Sequence, residues 1–211
     1  MDHTVWSCSK LSVGWSSCPL FPKLSKLKVV NFLDRILWLF STQGRGLVWP
    51  PPPSGVFKLN VDTSVFKGGC QVGSGSVVRR SDGSLVFAAT TVFHGGFAVN
   101  VAEALAVLDG LSLATSKGLL PLLGYYKCDA LNVVNLYLGI TSSRLEIMNV
   151  IRDIRRLLLQ FPYCSLAHVP HNCNTAAHEV AKFGLLAPVS VFWEVSFPNW
   201  LVGLIEPTVL A

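Results

Sequence analysis

Apolar and polar residues alternate along residues 57–65, which read FKLNVDTSV. A period of two is typical of a strand with one face buried, and Leu59 and Val61 would supply the buried face. Asp62 falls near the end of this strand, where side chains begin to meet solvent. A carboxylate in a segment that builds a core needs a cation or a metal beside it, so Asp62 is the first candidate functional residue.

The pattern continues into a mixed α/β architecture. A glycine-rich segment at 73–83 ends in the turn Ser81-Asp82-Gly83, and the apolar run 85–93 completes a meander of three antiparallel strands. Helical and extended segments then alternate, which predicts two crossover strands and a five-stranded mixed sheet flanked by helices. The predicted helices lie at 100–114, 130–136, 144–160 and within 171–182, and the crossover strands lie at 119–126 and 165–170.

Residues 1–46 differ from the rest of the chain, because most of this segment has neither a helical nor a strand period. Within it, residues 23–40 place apolar residues near helical spacing behind several lysines, which favours an amphipathic helix. Such a helix would be either a membrane-surface or targeting element, or a linker left from a longer gene. The prolines at 50–53 favour an extended boundary, so we predict an N-terminal extension or linker at 1–46 and one domain at 47–211.

Composition narrows the class of protein. A chain of 211 residues is long enough for one domain with an appendage, and its net charge of +5 fits a nucleic-acid partner without requiring one. The six cysteines form no CxxC pair, so we expect reduced, buried thiols rather than a zinc site or a disulfide framework. No uncharged apolar run reaches about 18 residues, which disfavours a transmembrane segment.

The start of the chain lacks the basic residues that precede the apolar core of a secretory signal. This favours an intracellular protein, nuclear or cytoplasmic, over a secreted one. The sequence contains no P-loop and no dinucleotide-binding glycine motif, so we expect no small-molecule cofactor. We also expect a monomer.

Two more carboxylates stand at the ends of predicted elements. Glu103 lies in the first turn of the helix at 100–114, where the helix dipole alone favours an acid. Asp129 lies at the junction between a strand and the helix at 130–136, where an aspartate commonly caps the helix. Capping is therefore the ordinary explanation for both residues, and a site shared with Asp62 is the functional one.

Several short segments carry a family signature. They are WPPP at 49–52, KLNVD at 58–62, GSVVR at 75–79, Asp82-Gly83, AEALA at 102–106, His168-Val169, Asn174, Ala177-His178 and Val180-Ala181. In these segments, and in the tail at 193–204, the chain resembles the plant ribonuclease H-like (reverse-transcriptase-like, RNase H type 1) domain family. The resemblance covers about residues 49–204 and implies the ribonuclease H-like fold.

The resemblance also implies an activity. It assigns Asp62, Glu103 and Asp129 as ligands of two Mg²⁺ ions, with Mn²⁺ as a substitute, and His178 as a fourth catalytic residue. Two such ions about 4 Å apart hold a scissile phosphate and need several carboxylates around them. The implied reaction is endonucleolytic hydrolysis of the RNA strand of an RNA/DNA hybrid. The residues proposed to contact the nucleic acid are Asn132, Asn174, Arg152, Arg155 and Arg156.

Three departures from the family pattern favour a second hypothesis. Thr63 replaces a glycine, Lys127-Cys128 replace the usual neighbours of the third acid, and His178 stands where bacterial-type enzymes carry a fourth acid. His171 also stands where an arginine is usual. The alternative is a catalytically weakened nucleic-acid-binding module derived from a retroelement. Ordinary roles also compete for the contact residues, because arginines can form a solvated helix face and asparagines can stabilise turns and caps.

Overall fold

A computed structural model describes six stretches of the chain, residues 49–66, 70–119, 123–143, 145–161, 163–187 and 189–205. The predicted helix at 23–40, together with Cys8, Cys18 and Arg144, lies outside the described residues. The described residues from Pro51 onward form one compact unit. The boundary between 46 and 47 stays a prediction.

Six strands and five helices make up the described part of the chain. The strands are β1 (Phe57–Val65), β2 (Gln71–Arg79), β3 (Leu85–His94), β4 (Leu123–Cys128), β5 (Ser165–His168) and β6 (Val191–Trp193). The helices are α1 (Val99–Ser116), α2 (Leu131–Tyr137), α3 (Leu145–Leu158), α4 (Thr175–Leu186) and α5 (Asn199–Ile205). A short 3₁₀ turn at His171–Cys173 precedes α4.

The strands form one mixed sheet in the order β5-β4-β1-β2-β3-β6. β1, β2 and β3 pair antiparallel as a meander, and β4 and β5 lie beyond β1 as parallel strands. The predicted meander with two crossover strands is confirmed. The predicted count of five was one short, because Val191–Trp193 pairs with residues 88–90 of β3. Three residues are too few to display a period of two, so the sequence pattern left this strand in the C-terminal tail.

One face of the sheet is covered by α1, α2 and α3, and large apolar side chains fill the space between. Val61 of β1, Leu111 of α1 and Ile151 of α3 are fully buried in this cluster. α3 fits here because its buried side chains recur at helical spacing and form one stripe, consisting of Ile147, Ile151, Ile154 and Leu158.

The opposite face is covered by α4, which lies in near backbone contact with β2. A Cβ at Gly75 would overlap the carbonyl oxygen of Ala177, and a Cβ at Gly73 would overlap that of Ala181. The glycine-rich sequence of β2 therefore has a steric cause, since any side chain at these two positions would push the helix away from the sheet. This close approach lays α4 across β1 and β2 together.

By length and composition α1 qualifies as a candidate membrane span, with a mean hydropathy of 1.2 over 18 residues. A buried helix of a globular domain meets the same criterion. Because Ala104, Val107 and Leu111 of α1 are fully buried in the core cluster, we interpret α1 as a core helix.

No disulfide joins the four cysteines that lie within the described residues. Cys128 and Cys173 are buried, as predicted, whereas Cys70 is exposed. The prediction of a buried thiol is wrong at Cys70, because this residue lies just before β2, outside the core.

Candidate metal centre and nucleic-acid interface

Asp62 stands on the face of β1 that α4 covers. Val61 points to the other face, where it meets Gly110 of α1, so the alternation of the strand turns the next side chain toward α4. One carboxylate oxygen of Asp62 accepts a hydrogen bond from the backbone N–H of Thr63 at 2.7 Å. The other oxygen lies 2.7 Å from Nδ1 of His178 in the first turn of α4. The side chain of Asp62 is only 5% exposed.

Asp129 directly follows the last residue of β4. β4 runs parallel to β1 with Cys128 opposite Val61, so Asp129 and Asp62 follow at the same end of two neighbouring strands. The helix-cap explanation for Asp129 fails, because α2 begins after Ala130 and has no side-chain cap. Asp129 is therefore directed to Asp62 by the strand pairing rather than retained as a cap.

Asn174 holds Asp129 in place. Oδ2 of Asp129 lies 2.7 Å from Nδ1 of His171, and its Oδ1 accepts a hydrogen bond from the Asn174 amide at 3.3 Å. The same amide donates to the carbonyl oxygen of Val61 and accepts from Asn60, both at 2.8 Å. Asn174 is 1% exposed. This burial does not fit the predicted contact of Asn174 with nucleic acid, and its place in the structure is that of a positioning residue.

Glu103 reaches the same region from α1. It is the fifth residue of that helix, beyond the first turn in which the dipole favours acids, so the ordinary explanation does not apply. Its Oε2 atom is buried and has no hydrogen-bond partner among the described residues. Burial, and then the charges of Asp62 and Asp129, raise the pKa of Glu103 from 4.5 to about 8.

Asp62, Glu103 and Asp129, hereafter the acid cluster, repel one another. Burial and the charge of Asp129 raise the pKa of Asp62 from 3.8 to about 6, although the hydrogen bonds from Thr63 and His178 act in the opposite direction. A cation among the carboxylates would relieve this repulsion and give the buried Oε2 of Glu103 a partner. Oxygen donors of this kind are the ligands that Mg²⁺ and Mn²⁺ prefer. The acid cluster therefore fits a divalent-metal site.

His171 and His178, hereafter the histidine pair, lie against the acid cluster. Their rings meet edge to face with centroids 4.5 Å apart. Their side chains are 58% and 24% exposed, so the pair forms the solvent-facing rim of the site. One ligand atom from each of Asp62, His171 and His178 lies within 4.8 Å of the others. His178 is thus placed at the edge of the cluster, and its contact with Asp62 does not fit a plain surface histidine.

Two histidines at this site were not assigned a role from the sequence. His171 was noticed only as a replacement for an arginine, and His168 only as part of a motif. The ring of His168, which lies opposite Cys128 at the end of β5, hydrogen-bonds the backbone of Asp129. The order of the predicted elements could have indicated both histidines. If β4 and β5 are parallel neighbours, they end side by side, and the loop after β5 must then pass the acid cluster.

The three arginines predicted to contact nucleic acid lie together on α3. Arg152, Arg155 and Arg156 are exposed on α3 and border a groove of about 640 Å³, which is also lined by Tyr137, Leu138, Leu158 and Leu159. Arg155 donates to the carbonyl oxygens of Leu136 and Tyr137 at 2.8 and 2.7 Å, so its guanidinium closes the end of α2. Asn132 is exposed in the first turn of α2, three residues after Asp129 in the chain.

Comparison with models of protein families assigns the chain to a family. The family model described as "Reverse transcriptase-like" matches residues 60–184, which is more than half of the chain. The chain belongs to the reverse transcriptase-like family. The residues of this reverse transcriptase-like protein that the model matches include the whole acid cluster and the histidine pair. None of the curated proteins compared with the chain matches it.

Solved ribonuclease H structures share the fold of this reverse transcriptase-like domain. RNase H1 from Halobacterium salinarum superposes with a TM-score of 0.57 at 23% identity, over 62% of this chain and 98% of that one. The N-terminal RNase H domain of a Mycobacterium tuberculosis protein gives 0.55 at 22% identity, over 63% and 94%. LC11-RNase H1 in complex with RNA/DNA hybrid gives 0.53 at 17% identity, over 60% and 94%. The fold is ribonuclease H-like, as predicted.

Proposed function

We propose that this protein is a metal-dependent endonuclease that hydrolyses the RNA strand of RNA/DNA hybrids. The observation that carries the proposal is the acid cluster, in which carboxylates from β1, α1 and the end of β4 converge, and in which burial and neighbouring negative charge raise the pKa of Asp62 and of Glu103. Titrating groups perturbed in this way are concentrated at functional sites. Two Mg²⁺ ions, or Mn²⁺ in their place, would be held by Asp62, Glu103 and Asp129.

The chain's own residues prepare the site for this chemistry. When bound, two such metal ions would activate a water for attack on the scissile phosphate and stabilise the leaving oxygen. The backbone N–H of Thr63 orients one oxygen of Asp62, and Asn174 ties Asp129 to β1. His178 at the rim is placed to bind a phosphate oxygen when protonated or to accept a proton when neutral.

The proposed substrate is supported by the exposed arginines of α3 and by a solved complex of a protein with the same fold. A hybrid duplex is recognised through its minor groove and 2′-hydroxyls rather than through base sequence. The exposed arginines of α3 would attract phosphates, and Asn132 would contact the backbone near the acid cluster. LC11-RNase H1, which has the same fold, was solved with an RNA/DNA hybrid, and this supports the substrate class.

A binding module without catalysis is the second candidate function. The histidine pair favours it, because one carboxylate oxygen of Asp62 and one of Asp129 are each engaged by an imidazole nitrogen at 2.7 Å. A site whose carboxylates are held in this way would bind Mg²⁺ less readily. On this proposal the fold and its basic surface would be kept for nucleic-acid binding alone.

The Asp62→Asn substitution separates the two functions. We expect it to lower Mg²⁺-dependent cleavage of a labelled RNA/DNA hybrid by at least about 100-fold while hybrid binding survives, because the lost charge acts mainly in the transition state. Asp82→Asn is the matched control, since it makes the same chemical change at an exposed turn between β2 and β3. Thermal unfolding of both variants checks that the fold is kept.

The outcome assigns the function directly. Cleavage by the unmodified protein and by Asp82→Asn, but not by Asp62→Asn, supports the nuclease. If the unmodified protein binds the hybrid and shows no cleavage above the Asp62→Asn variant with either Mg²⁺ or Mn²⁺, the nuclease is refuted and the binding module remains.

A further inference from the structure

We infer that Asp62, His171 and His178 form a binding site for a divalent transition metal, of which Zn²⁺ fits best. The site shares Asp62 with the acid cluster and takes its other ligands from the histidine pair. Binding of this ion does not depend on nuclease activity, whereas its effect on cleavage rests on the proposed function.

The positions of the donor atoms support this site. Oδ2 of Asp62 and Nδ1 of His178 lie 2.7 Å apart, and ligand atoms of all three residues lie within 4.8 Å of one another. A tetrahedral Zn²⁺ with bonds of about 2.1 Å sets its ligands about 3.4 Å apart. Small side-chain adjustments, with no movement of strands or helices, would therefore bring the three donors to zinc distance.

The chemistry of the donors selects the ion. Mg²⁺ prefers all-oxygen surroundings, whereas imidazole nitrogens suit Zn²⁺, Cu²⁺, Ni²⁺ and related ions. Three protein ligands of mixed nitrogen and oxygen type, with a fourth position left for water, are a common zinc arrangement. The histidine pair thus gives this chain a preference that an all-carboxylate cluster would lack.

The surroundings of the ligands support the same site. The second acid, Asp129, contacts Nδ1 of His171 at 2.7 Å, and carboxylates in such a position orient metal-binding histidines. Asp62 is almost fully buried, while His171 is more than half exposed, so the donors run from the protein interior to solvent. An ion can therefore enter from the side of His171.

Calorimetric titration of the full-length, metal-stripped protein with ZnCl₂ and, separately, MgCl₂ tests the site. We expect His171→Gln and His178→Gln each to weaken Zn²⁺ binding by at least about tenfold, the loss known for changes around metal ligands, while Mg²⁺ affinity stays within about threefold. Glutamine retains an N–H that can donate to the neighbouring carboxylate, so the fold should survive. His94→Gln, at the exposed end of β3, is the matched control and should bind Zn²⁺ like the parent.

Co²⁺ provides a second readout that does not rely on affinity. Co²⁺ bound by the parent protein should show the intense visible absorption of a tetrahedral site, and the double variant H171Q/H178Q should lose it. Equal Zn²⁺ affinity in the parent and the double variant would overturn the inference, because the ion would then be bound elsewhere, for example by cysteine thiols. Absence of Zn²⁺ binding to the parent would overturn it as well.

The consequence for cleavage is measured separately. Because Asp62 is shared, Zn²⁺ should inhibit Mg²⁺-dependent hydrolysis in the parent and do so at least about tenfold less effectively in His171→Gln. A protein that binds Zn²⁺ through the histidine pair yet cleaves nothing would keep the metal site and reject the nuclease. A protein that cleaves with Mg²⁺ but binds no Zn²⁺ would do the reverse.

Discussion

The face of the sheet under α1 and α3 is filled by large side chains, whereas on the face under α4 the backbone of the helix nearly touches β2. On the first face, branched side chains such as those of Val61, Leu111 and Ile151 supply the contact. On the second, glycines of β2 meet alanines of α4, and a Cβ on either glycine would overlap helix backbone. The face under α1 and α3, hereafter the thick face, is thus packed through side chains. The face under α4, hereafter the thin face, is packed through backbone contact, which cannot adjust by changing rotamers.

This difference explains how the side chains of the candidate site are held in position. A core of large side chains can absorb a small change in side-chain volume by repacking. Backbone contact leaves no such freedom. α4 carries His178, and the loop before it carries His171 and Asn174, so the thin face sets the position of every group that reaches the acid cluster from this side.

The largest expected effect comes from adding bulk to the thin face. Gly75→Val should lower the free energy of unfolding by about 3 kcal/mol and abolish Zn²⁺ binding, because α4 must move to make room. Ile151→Val on the thick face is the control, with an expected loss of about 1 kcal/mol and unchanged Zn²⁺ binding. Urea denaturation and calorimetry measure both variants. Retained Zn²⁺ binding in Gly75→Val would show that α4 does not set the geometry.

A smaller effect is expected from pH, through Glu103, the one acid that α1 contributes to the acid cluster. Folded Glu103, with a pKa of about 8, keeps a proton that the unfolded chain releases above about 4.5, so stability falls as pH rises between these values. Above pH 6, the pKa of Asp62, the decline comes from Glu103. We expect a metal-free protein to lose at most about 2 kcal/mol between pH 6 and 8.

Matched variants isolate this contribution. Glu103→Gln should flatten the decline between pH 6 and 8, because the amide does not titrate. Glu146→Gln, an exposed change in the first turn of α3, should leave the decline as it is. Unfolding in urea at several pH values, with a chelator present, makes the comparison. Parallel profiles for the two variants would contradict the burial of the Glu103 charge.

The smallest effects are expected outside both faces, on the exposed side of α3. Arg152→Ala and Arg156→Ala should each reduce the salt dependence of hybrid binding by about 0.7–0.9 in log–log slope, with stability unchanged. Arg155→Ala should also cost about 1 kcal/mol of stability, because two carbonyl oxygens at the end of α2 lose their donor. The control is Arg80→Ala, which removes an equal charge on a turn away from α3 and should leave the slope unchanged. Equal slopes for this control and the three α3 variants would rule out a phosphate-binding face on α3.

Strand alternation and helical period were enough to predict most of the fold. β1 was predicted to within a residue, and α1, α2 and α3 to within two or three residues, because their buried positions recur regularly. β6 was missed because its three residues pair only through a tertiary contact with β3. The meander and the two crossover strands were predicted from the order of the elements, the family resemblance and the rules for crossover connections, not from the periodicity alone.

The site was predictable in part. Asp62 stood out because a charge interrupts an apolar strand, while Glu103 and Asp129 needed the resemblance to separate them from ordinary caps. No local pattern could show that Asn174 is buried or that His171 faces Asp129, since both depend on contacts across more than 40 residues of sequence. For exposed residues that were predicted to contact nucleic acid, such as Arg152, the sequence pattern is the same whether the helix face binds phosphates or is only solvated.

The parallel pairing of β4 with β1 has a consequence for how this chain can change over evolutionary time. Cys128 lies opposite Val61, so the separation of the two aspartates that follow is governed by the strand spacing of about 4.8 Å, a property of the backbone. Substitutions at neighbouring positions, such as Lys127, alter side chains without altering that spacing. Residues next to Asp62 and Asp129 can therefore be substituted during evolution while the distance between the two aspartates is kept.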